Sequence, residues 1–252
     1  MKPLVLSPSA VARYRQCARA YAFEYVEKLR PPTSPKQQFG LDVHKQLEDW
    51  LWTGLAPDDT PVGRVAAQGI QKGWLPVPDA RLRLEHRFLF PVGQGVELGG
   101  YVDCVAPPGV SGPEPLVIDH KTTSDLRWSE TPADLESDPQ ALIYSLWAML
   151  EWSVPTVRAR WIYYAASNPN LGPRKPHGAK PVEVLLDCRS PVFATALRRL
   201  LLDLGEMTKI RRGEVKGLAC DPNPRSCGSY GGCYHLHRCK LSPLDALAAY
   251  LK

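Results

Sequence analysis

The stretch Leu116–Thr123, reading Leu-Val-Ile-Asp-His-Lys-Thr-Thr, constrains this chain more than any other. Three aliphatic residues run straight into an acid, and the acid stands two positions before a lysine. Side chains two apart in a strand share a face. Asp119 and Lys121 therefore emerge side by side from the end of a buried strand, with His120 turned away. A carboxylate so placed can hold a divalent cation, and the ammonium beside it can reach a water on that cation. An isolated acid-x-lysine triplet reads equally well as an exposed ion pair at a strand edge, so its meaning depends on the rest of the chain.

With 252 residues the chain can bury a sizeable core, and its ordinary apolar fraction speaks against global disorder. A net charge of +5 permits a polyanionic partner without requiring one. The apolar start Leu4-Val5-Leu6 gives way at once to Ser-Pro-Ser and an amphipathic segment, so no secretory leader is read. No uncharged apolar run reaches the roughly eighteen residues of a membrane span. A cytoplasmic protein without a membrane partner is the expectation. Seven cysteines, four of them in the last fifth of the chain, suit a metal site better than a disulfide framework.

In chain order, Ser7-Pro8 predicts a helix start, and Val11, Tyr14, Ala18, Tyr21 and Tyr25 give that helix one aromatic face with Cys17 in its middle. After the loop Arg30–Pro35, a second helix is expected to follow Gly40, with Val43, Leu47, Trp50 and Leu51 on its apolar side and His44 near that stripe. Val62–Trp74 reads as a third helix. The period then changes: Leu82 to Phe90 alternates as a strand, Gly93–Gly95 turns the chain, and Val96–Val105 forms a second strand containing Gly100-Tyr101-Val102-Asp103. A loop, Pro107–Pro115, leads to the Leu116–Thr123 strand. A helix from Ala133 to Trp152 follows, placing Gln140 and Tyr144 four apart on one face. Arg158–Ala166 and Val182–Leu186 read as strands around the basic loop Ser167–Lys180, Phe193–Arg212 as a long amphipathic helix, and Leu244–Leu251 as a short closing helix. Cys104 and Cys188 are expected on strands in the core. One domain, 1–252, is expected: a helical part (1–75), a strand-rich core (80–190), and a helix with a Cys-rich tail (191–252).

The polar candidates are thus His44, Asp103, Asp119, Lys121, Gln140 and Tyr144. Two carboxylates on adjacent strands can grip a hard cation such as Mg²⁺, which prefers oxygen ligands and keeps several waters. Such a cation polarises a phosphate, lowers the pKa of a bound water and stabilises the leaving oxygen. Lys121 would orient or deprotonate that water, or neutralise developing charge. This layout suits phosphodiester hydrolysis.

The order His44, Gly100-x-x-Asp103, Ile118-Asp119-His120-Lys121, Gln140-x-x-x-Tyr144 resembles the PD-(D/E)xK nuclease superfamily. Within it, the chain is similar to the RecB-like exonuclease branch, with its CRISPR-associated, AddB-type and phage-borne relatives. Leu6-Ser7-Pro8-Ser9, Tyr14-x-x-Cys17, Tyr21-x-x-x-Tyr25 and Gly40-x-x-x-His44 also resemble that branch, so the likeness runs from about residue 6 to about residue 239. The resemblance implies an α/β fold with a restriction-endonuclease-like core, a central mixed sheet flanked by helices. It implies that His44, Asp103, Asp119 and the carbonyl of His120 bind catalytic Mg²⁺ or Mn²⁺, that Lys121 is the catalytic lysine, and that Gln140 and Tyr144 orient the site and touch the substrate strand. Glu85, on the strand before Asp103, stands either as a distant metal partner or as a surface residue. The activity implied is a DNA nuclease, an exonuclease on single-stranded or free-ended DNA, serving recombination, repair, phage DNA processing or CRISPR-type adaptation.

The tail carries Cys220 and then Cys227-x5-Cys233-x5-Cys239. Four thiolates suit tetrahedral zinc and a [4Fe–4S] cluster alike. The resemblance favours the cluster, because relatives pair one cysteine before the nuclease motifs with three after them. It points to Cys17, Cys227, Cys233 and Cys239, joining the first helix to the tail. Many relatives have a tighter C-x2-C before the last cysteine, which leaves Cys220 as the alternative to Cys227. Phosphate contacts are expected from Pro173–Lys180 and from Lys209, Arg211 and Arg212. Two other readings stay open: a non-catalytic nucleic-acid-binding protein with a zinc- or cluster-stapled end, and a structural subunit of a recombination or CRISPR complex with a vestigial site.

Overall fold

The computed structural model describes residues 2–166, 178–228 and 232–241. In chain order the elements are β1 (Leu4–Leu6), α1 (Pro8–Gln16), α2 (Ala18–Tyr21), a π-helical turn (Ala22–Val26), α3 (Pro35–Thr53), α4 (Pro61–Gln71), β2 (Arg83–Gly93), β3 (Val96–Ala106), β4 (Leu116–Thr123), a 3₁₀ turn (Leu126–Trp128), α5 (Pro132–Leu135), α6 (Pro139–Trp152), β5 (Thr156–Ala165), β6 (Ala179–Asp187) and α7 (Pro191–Arg211). Short 3₁₀ turns follow in the tail. The chain divides into two compact units, a smaller one of Met1–Pro32, Phe90–Gly99 and Leu197–Lys252, and a larger one of Thr33–Leu89 and Gly100–Ala196.

The larger unit is built on a mixed sheet in which β3, β4, β5 and β6 lie in that order and β2 pairs with β3. β4 is antiparallel to β3 and parallel to β5, and β6 is antiparallel to β5. Strand alternation sends Leu116 and Ile118 to one face, where with Ile162, Tyr164, Cys104 and Ala106 they pack on Val43, Leu47 and Leu51 of α3 and Val65 and Ala66 of α4. Each such aliphatic side chain contributes about 1.5–3 kcal/mol by leaving water. The other face carries Asp119 and Lys121 beside Trp161 and Tyr163. Helix α6 covers it, with the Tyr144 ring 6.3 Å from that of Trp161. Helices on both sides of a mixed sheet give the expected α/β architecture.

In the smaller unit, β1 runs parallel to the start of β3, Leu4 opposite Val96. The aromatic residues of the first helical segment pack on one another: Tyr14 meets Tyr21 edge-on and Tyr21 stacks on Tyr25. The second half of α7 buries Leu200, Leu204, Met207 and Ile210. Arg15 pairs with the buried Asp203 at 2.7 Å.

Several expectations need correction. The single first helix is interrupted at Cys17, whose backbone is extended (φ −166°, ψ 111°). The second helix begins at Pro35 rather than after Gly40, because Ser34 and Gln37 form a reciprocal capping box. The expected helix from Ala133 splits in two, and Asp138 caps α6 with Pro139 at its first position. Leu4–Leu6, read only as an apolar start, is a strand. Cys188 is exposed in the turn after β6 rather than in the core, while Cys104 is buried. Residues 167–177 of the basic loop and the expected closing helix at 244–251 lie outside the described residues. Among the described residues no helix is long and apolar enough to cross a membrane.

Candidate active site

The site forms where β3 and β4 part. Their register runs Ala106↔Leu116, Val105↔Val117, Cys104↔Ile118. Just past it, the backbone N–H of His120 donates to Asp103 Oδ2 at 2.8 Å. A side-chain carboxylate thus takes the place of a ladder carbonyl, as a buried N–H requires a partner. In this gap, groups from both sides of the sheet can meet.

On the α6 side, Lys121 Nζ lies 2.6 Å from Asp119 Oδ2. Gln140 bridges the pair: its Oε1 accepts from Lys121 Nζ at 2.7 Å and its Nε2 donates to Asp119 Oδ1 at 2.6 Å. The same Nε2 donates to the Tyr144 hydroxyl at 2.8 Å, and that hydroxyl donates to the Tyr101 carbonyl at 2.7 Å. An ammonium can only donate and a carboxylate can only accept, so the amide of Gln140 has one possible orientation. The four-residue spacing of Gln140 and Tyr144, legible in the sequence, becomes one connected network.

From the α3 side, His44 Nδ1 stands 3.4 Å from Asp103 Oδ2. Gly40 lies one turn earlier on α3, where a Cβ would sit 2.8 Å from Thr122 Oγ1. The absent side chain allows α3 to approach β4 closely enough to deliver His44. His120 turns to this face and meets the His44 ring edge-on, 5.6 Å between centroids.

Glu85 joins this group. Ligand atoms of His44, Glu85 and Asp103 lie within 4.8 Å of one another, the one such set among the described residues. Its backbone is left-handed, with φ +43°, a conformation that costs a residue bearing a Cβ about 1–2 kcal/mol. From the sequence, Glu85 stands either as a distant metal partner or as a surface residue. A positive φ inside a strand cannot be read from sequence, whereas a charged residue on the strand neighbouring Asp103 is the one available signal.

Burial, and then the charge of Asp119, push the Asp103 carboxyl well above the usual carboxylate range. Burial lowers His44, and it lowers His120 further, with His44 and Lys121 adding to the effect. Burial alone would lower Lys121, but the charge and hydrogen bond of Asp119, with Asp103 behind it, raise it. His44, Glu85 and Asp103 offer lone pairs that could hold a cation, with the Lys121 ammonium close to the Asp119 carboxylate.

In the smaller unit, the break at Cys17 aims its sulfur at the tail. Cys17 Sγ accepts the N–H of Asn223 at 3.4 Å, and Asn223 Nδ2 donates to the Gln16 carbonyl at 2.9 Å. Burial raises the Cys227 thiol to about 11, and the neighbouring sulfurs of Cys233, Cys17 and Cys239 add to the rise. Arg19 holds the tail by donating to the Cys220 and Cys239 carbonyls at 2.9 and 2.6 Å, and lies 3.7 Å from Cys239 Sγ. The sulfurs of Cys17, Cys233 and Cys239 thus act electrostatically on that of Cys227. Cys220 is also buried and feels the charge of Cys17, with its thiol directed at the Lys216 carbonyl at 3.6 Å. Arg211 donates to the Tyr25 carbonyl at 2.9 Å, Arg212 to the Gln94 carbonyl at 3.2 Å, and Lys209 pairs with Glu206 at 2.8 Å. These three expected phosphate contacts thus each have a protein partner.

The family described as "PD-(D/E)XK nuclease superfamily" matches residues 5–80 and 62–240. No curated protein matches the sequence. Among solved structures, the fold is similar to a "Putative exonuclease" from Eubacterium rectale, at 10% identity over 86% of this chain and 84% of that one, with a TM-score of 0.52. A second similar structure is that of SSO0001, at 17% identity over 82% and 78% of the two chains, with a TM-score of 0.43.

Proposed function

We propose that this chain, which belongs to the PD-(D/E)XK nuclease superfamily, is a divalent-metal-dependent nuclease that hydrolyses DNA phosphodiesters from a free end. The observation that carries this reading is Gln140, which holds Lys121 and Asp119 in fixed register next to the carboxylate of Asp103. A surface ion pair has no need of such a clamp.

Asp103, His44 and Glu85 fit one divalent ion, since their ligand atoms already lie within 4.8 Å of one another. Asp119 and the carbonyl of His120 complete the donor set. Oxygen donors dominate it, which suits Mg²⁺ or Mn²⁺. When bound, such an ion acidifies a water and offsets charge on the phosphate. Lys121 is held protonated by Asp119, so its part is to orient the attacking water and to stabilise charge on the phosphate rather than to abstract a proton. Gln140 keeps the Lys121 ammonium from swinging away, and Tyr144 keeps Gln140 in place through the Tyr101 carbonyl. His44, neutral because of burial, presents a lone pair without adding positive charge.

The four thiols Cys17, Cys227, Cys233 and Cys239 suit a [4Fe–4S] cluster. Four thiolates would serve tetrahedral zinc as well, and the likeness to nucleases that place one cysteine before their motifs and three after them is what favours the cluster. The N–H of Asn223 and the guanidinium of Arg19 would stabilise the thiolate form.

The test is cleavage of end-labelled linear and covalently closed circular DNA while Mg²⁺ or Mn²⁺ is titrated. The expected result is metal-dependent loss of linear DNA, with circles surviving. No cleavage with either ion would remove the nuclease reading in favour of a binding protein, and circles cut as fast as linear DNA would remove the need for an end.

A further inference from the structure

Immediately past β4, the chain holds a large aromatic side chain out into solvent on a rigid support. Trp128 is 76% exposed. Its turn is nonetheless closed by hydrogen bonds at every step. Thr123 Oγ1 donates to the Asp125 carbonyl at 2.9 Å, the Asp125 side chain accepts from the N–H of Arg127 at 2.9 Å and from Arg127 Nε at 2.8 Å, and the N–H of Trp128 returns to the Asp125 carbonyl at 3.1 Å. Ser129 then closes on the Leu126 carbonyl through both its N–H and its hydroxyl. An indole left in water by a mobile loop is unremarkable, but a turn this well bonded fixes the backbone from which the indole projects.

That turn is joined to the face of the sheet carrying Asp119 and Lys121. Tyr163 is the register partner of Lys121 across the parallel β4–β5 pair, so the two side chains share a face. The Tyr163 hydroxyl donates to Glu130 Oε2 at 2.8 Å, which ties the segment two residues beyond Trp128 to that face. At the other side of the gap, Tyr101 stands two positions before Asp103, on the same strand face, and is 59% exposed. An exposed aromatic thus stands on the strand face of Asp103, and another on the turn that follows Lys121 and is tied to the Tyr163 face through Glu130.

We propose that Trp128 is a stacking platform for an unpaired nucleobase, so that the strand delivered to Lys121 is single-stranded where it passes the 3₁₀ turn. This rests on the nuclease reading and adds to it the residue that would hold an unpaired strand. The chemistry follows from the parts: an indole has no charge to meet a phosphate, and within a strand its π-face can stack only on a base that is not already stacked in a helix. Stacking of this kind tolerates any sequence, because every base has a π-face.

Binding measured without divalent ions separates this inference from catalysis. Fluorescence anisotropy would follow a labelled oligodeoxythymidylate, a blunt duplex of the same length, and an abasic sugar–phosphate oligomer carrying the same charge, each with wild type, Trp128→Ala and Trp128→Phe. The expected result is that Trp128→Ala weakens oligodeoxythymidylate binding at least about fivefold, that Trp128→Phe restores most of it, and that duplex and abasic ligands bind both variants as they bind wild type. Equal weakening for all three ligands, or unchanged affinity of Trp128→Ala for oligodeoxythymidylate, overturns the inference. A wild type that cleaves DNA beside a Trp128→Ala protein of unchanged affinity removes the platform and leaves the nuclease. Base-dependent binding by a wild type that cleaves nothing removes the nuclease instead.

Discussion

The peptide N–H of His120 holds Asp103 Oδ2 at 2.8 Å. A backbone group of β4, not a side chain, thus fixes the carboxylate arriving from β3. The position of Asp103 is therefore locked to the register of β4. Slipping β4 by one residue would exchange the faces of Asp119 and His120 and carry the Asp119–Lys121 pair away from Gln140. The apolar register Leu116–Ile118, buried against α3 and α4, is what prevents that slip. Core packing and site geometry are one constraint in this chain.

The amide of Gln140 is the first place to test that constraint. Gln140→Ala frees Lys121 and Asp119 to adopt other rotamers while leaving their charges in place. Its expected effect is a fall in kcat of about a hundredfold, the usual scale for misplacing a reacting group by an ångström, with a smaller change in KM for DNA. Asp119→Ala and Lys121→Ala should abolish cleavage with the fold intact by circular dichroism. A Gln140→Ala protein that turns over like wild type would show the bridge to be incidental.

Metal and pH give a second test, read on stability alone. The Asp103 carboxyl is raised by burial and by Asp119. A raised carboxyl favours the folded state fully below its unfolded value, about 3.9, and loses that contribution as pH rises through its folded value. His44 and His120 are lowered, so their contribution is present above about 6.5 and is lost as pH falls through their folded values. Metal-free Asp103→Asn should therefore melt above wild type at pH 7–8, with the difference shrinking as pH falls towards 5. Added Mg²⁺ or Mn²⁺ should raise the Tm of wild type through preferential binding to the folded state and leave Asp103→Asn nearly unmoved. Equal metal-induced shifts in both proteins would take Asp103 out of the ion's reach.

Much of this was legible beforehand because it follows from period. The alternation in Leu116–Lys121 placed Asp119 and Lys121 together, and the four-residue step placed Gln140 over Tyr144. What escaped reading depends on local departures from period. The break at Cys17 and the left-handed Glu85 are backbone conformations that no side-chain pattern announces. The start of α3 was a different kind of miss, since Ser34, Pro35 and Gln37 spell a capping box in the sequence. Cys188, expected on a strand in the core, instead follows the end of β6 at Asp187 and is exposed.

The cysteine site separates by colour. Protein purified without oxygen should be brown and contain iron and sulfide. Cys17→Ala, Cys227→Ala, Cys233→Ala and Cys239→Ala should each bleach it and lower its Tm, because cluster bonds add to folding free energy. The buried Cys104 and the exposed Cys188 should be replaceable by alanine without loss of colour. Cys220→Ala is the discriminating variant: Cys17 acts electrostatically on its thiol, whereas Cys233, Cys17 and Cys239 all act on that of Cys227. A brown Cys220→Ala beside a colourless Cys227→Ala is the expected pair. The opposite pair would exchange the two in the ligand set, and colourless, zinc-containing wild type would replace the cluster altogether.

Gly40 offers a test of how His44 is delivered that needs no substrate. Inside an exposed helix, Gly→Ala ordinarily stabilises by about 1 kcal/mol. On α3 the new Cβ would lie 2.8 Å from Thr122 Oγ1, while Thr122 Cβ and Cγ2 are 3.9 Å away. Only the hydroxyl is in conflict, so the effect should depend on residue 122. Gly40→Ala alone should be neutral or destabilising by up to about 1 kcal/mol, as the threonine rotates or α3 shifts outward. In a Thr122→Ala background the same change should recover its ordinary helix gain. The two changes then couple by about 1 kcal/mol, within the range measured for touching pairs, and denaturant midpoints of the four proteins measure it. Activity should follow geometry rather than stability: Gly40→Ala should lower kcat by carrying His44 away from Asp103, and Thr122→Ala should restore it. Additive midpoints would mean that α3 does not rest on Thr122, and His44 would then owe its position to something other than the missing side chain of Gly40.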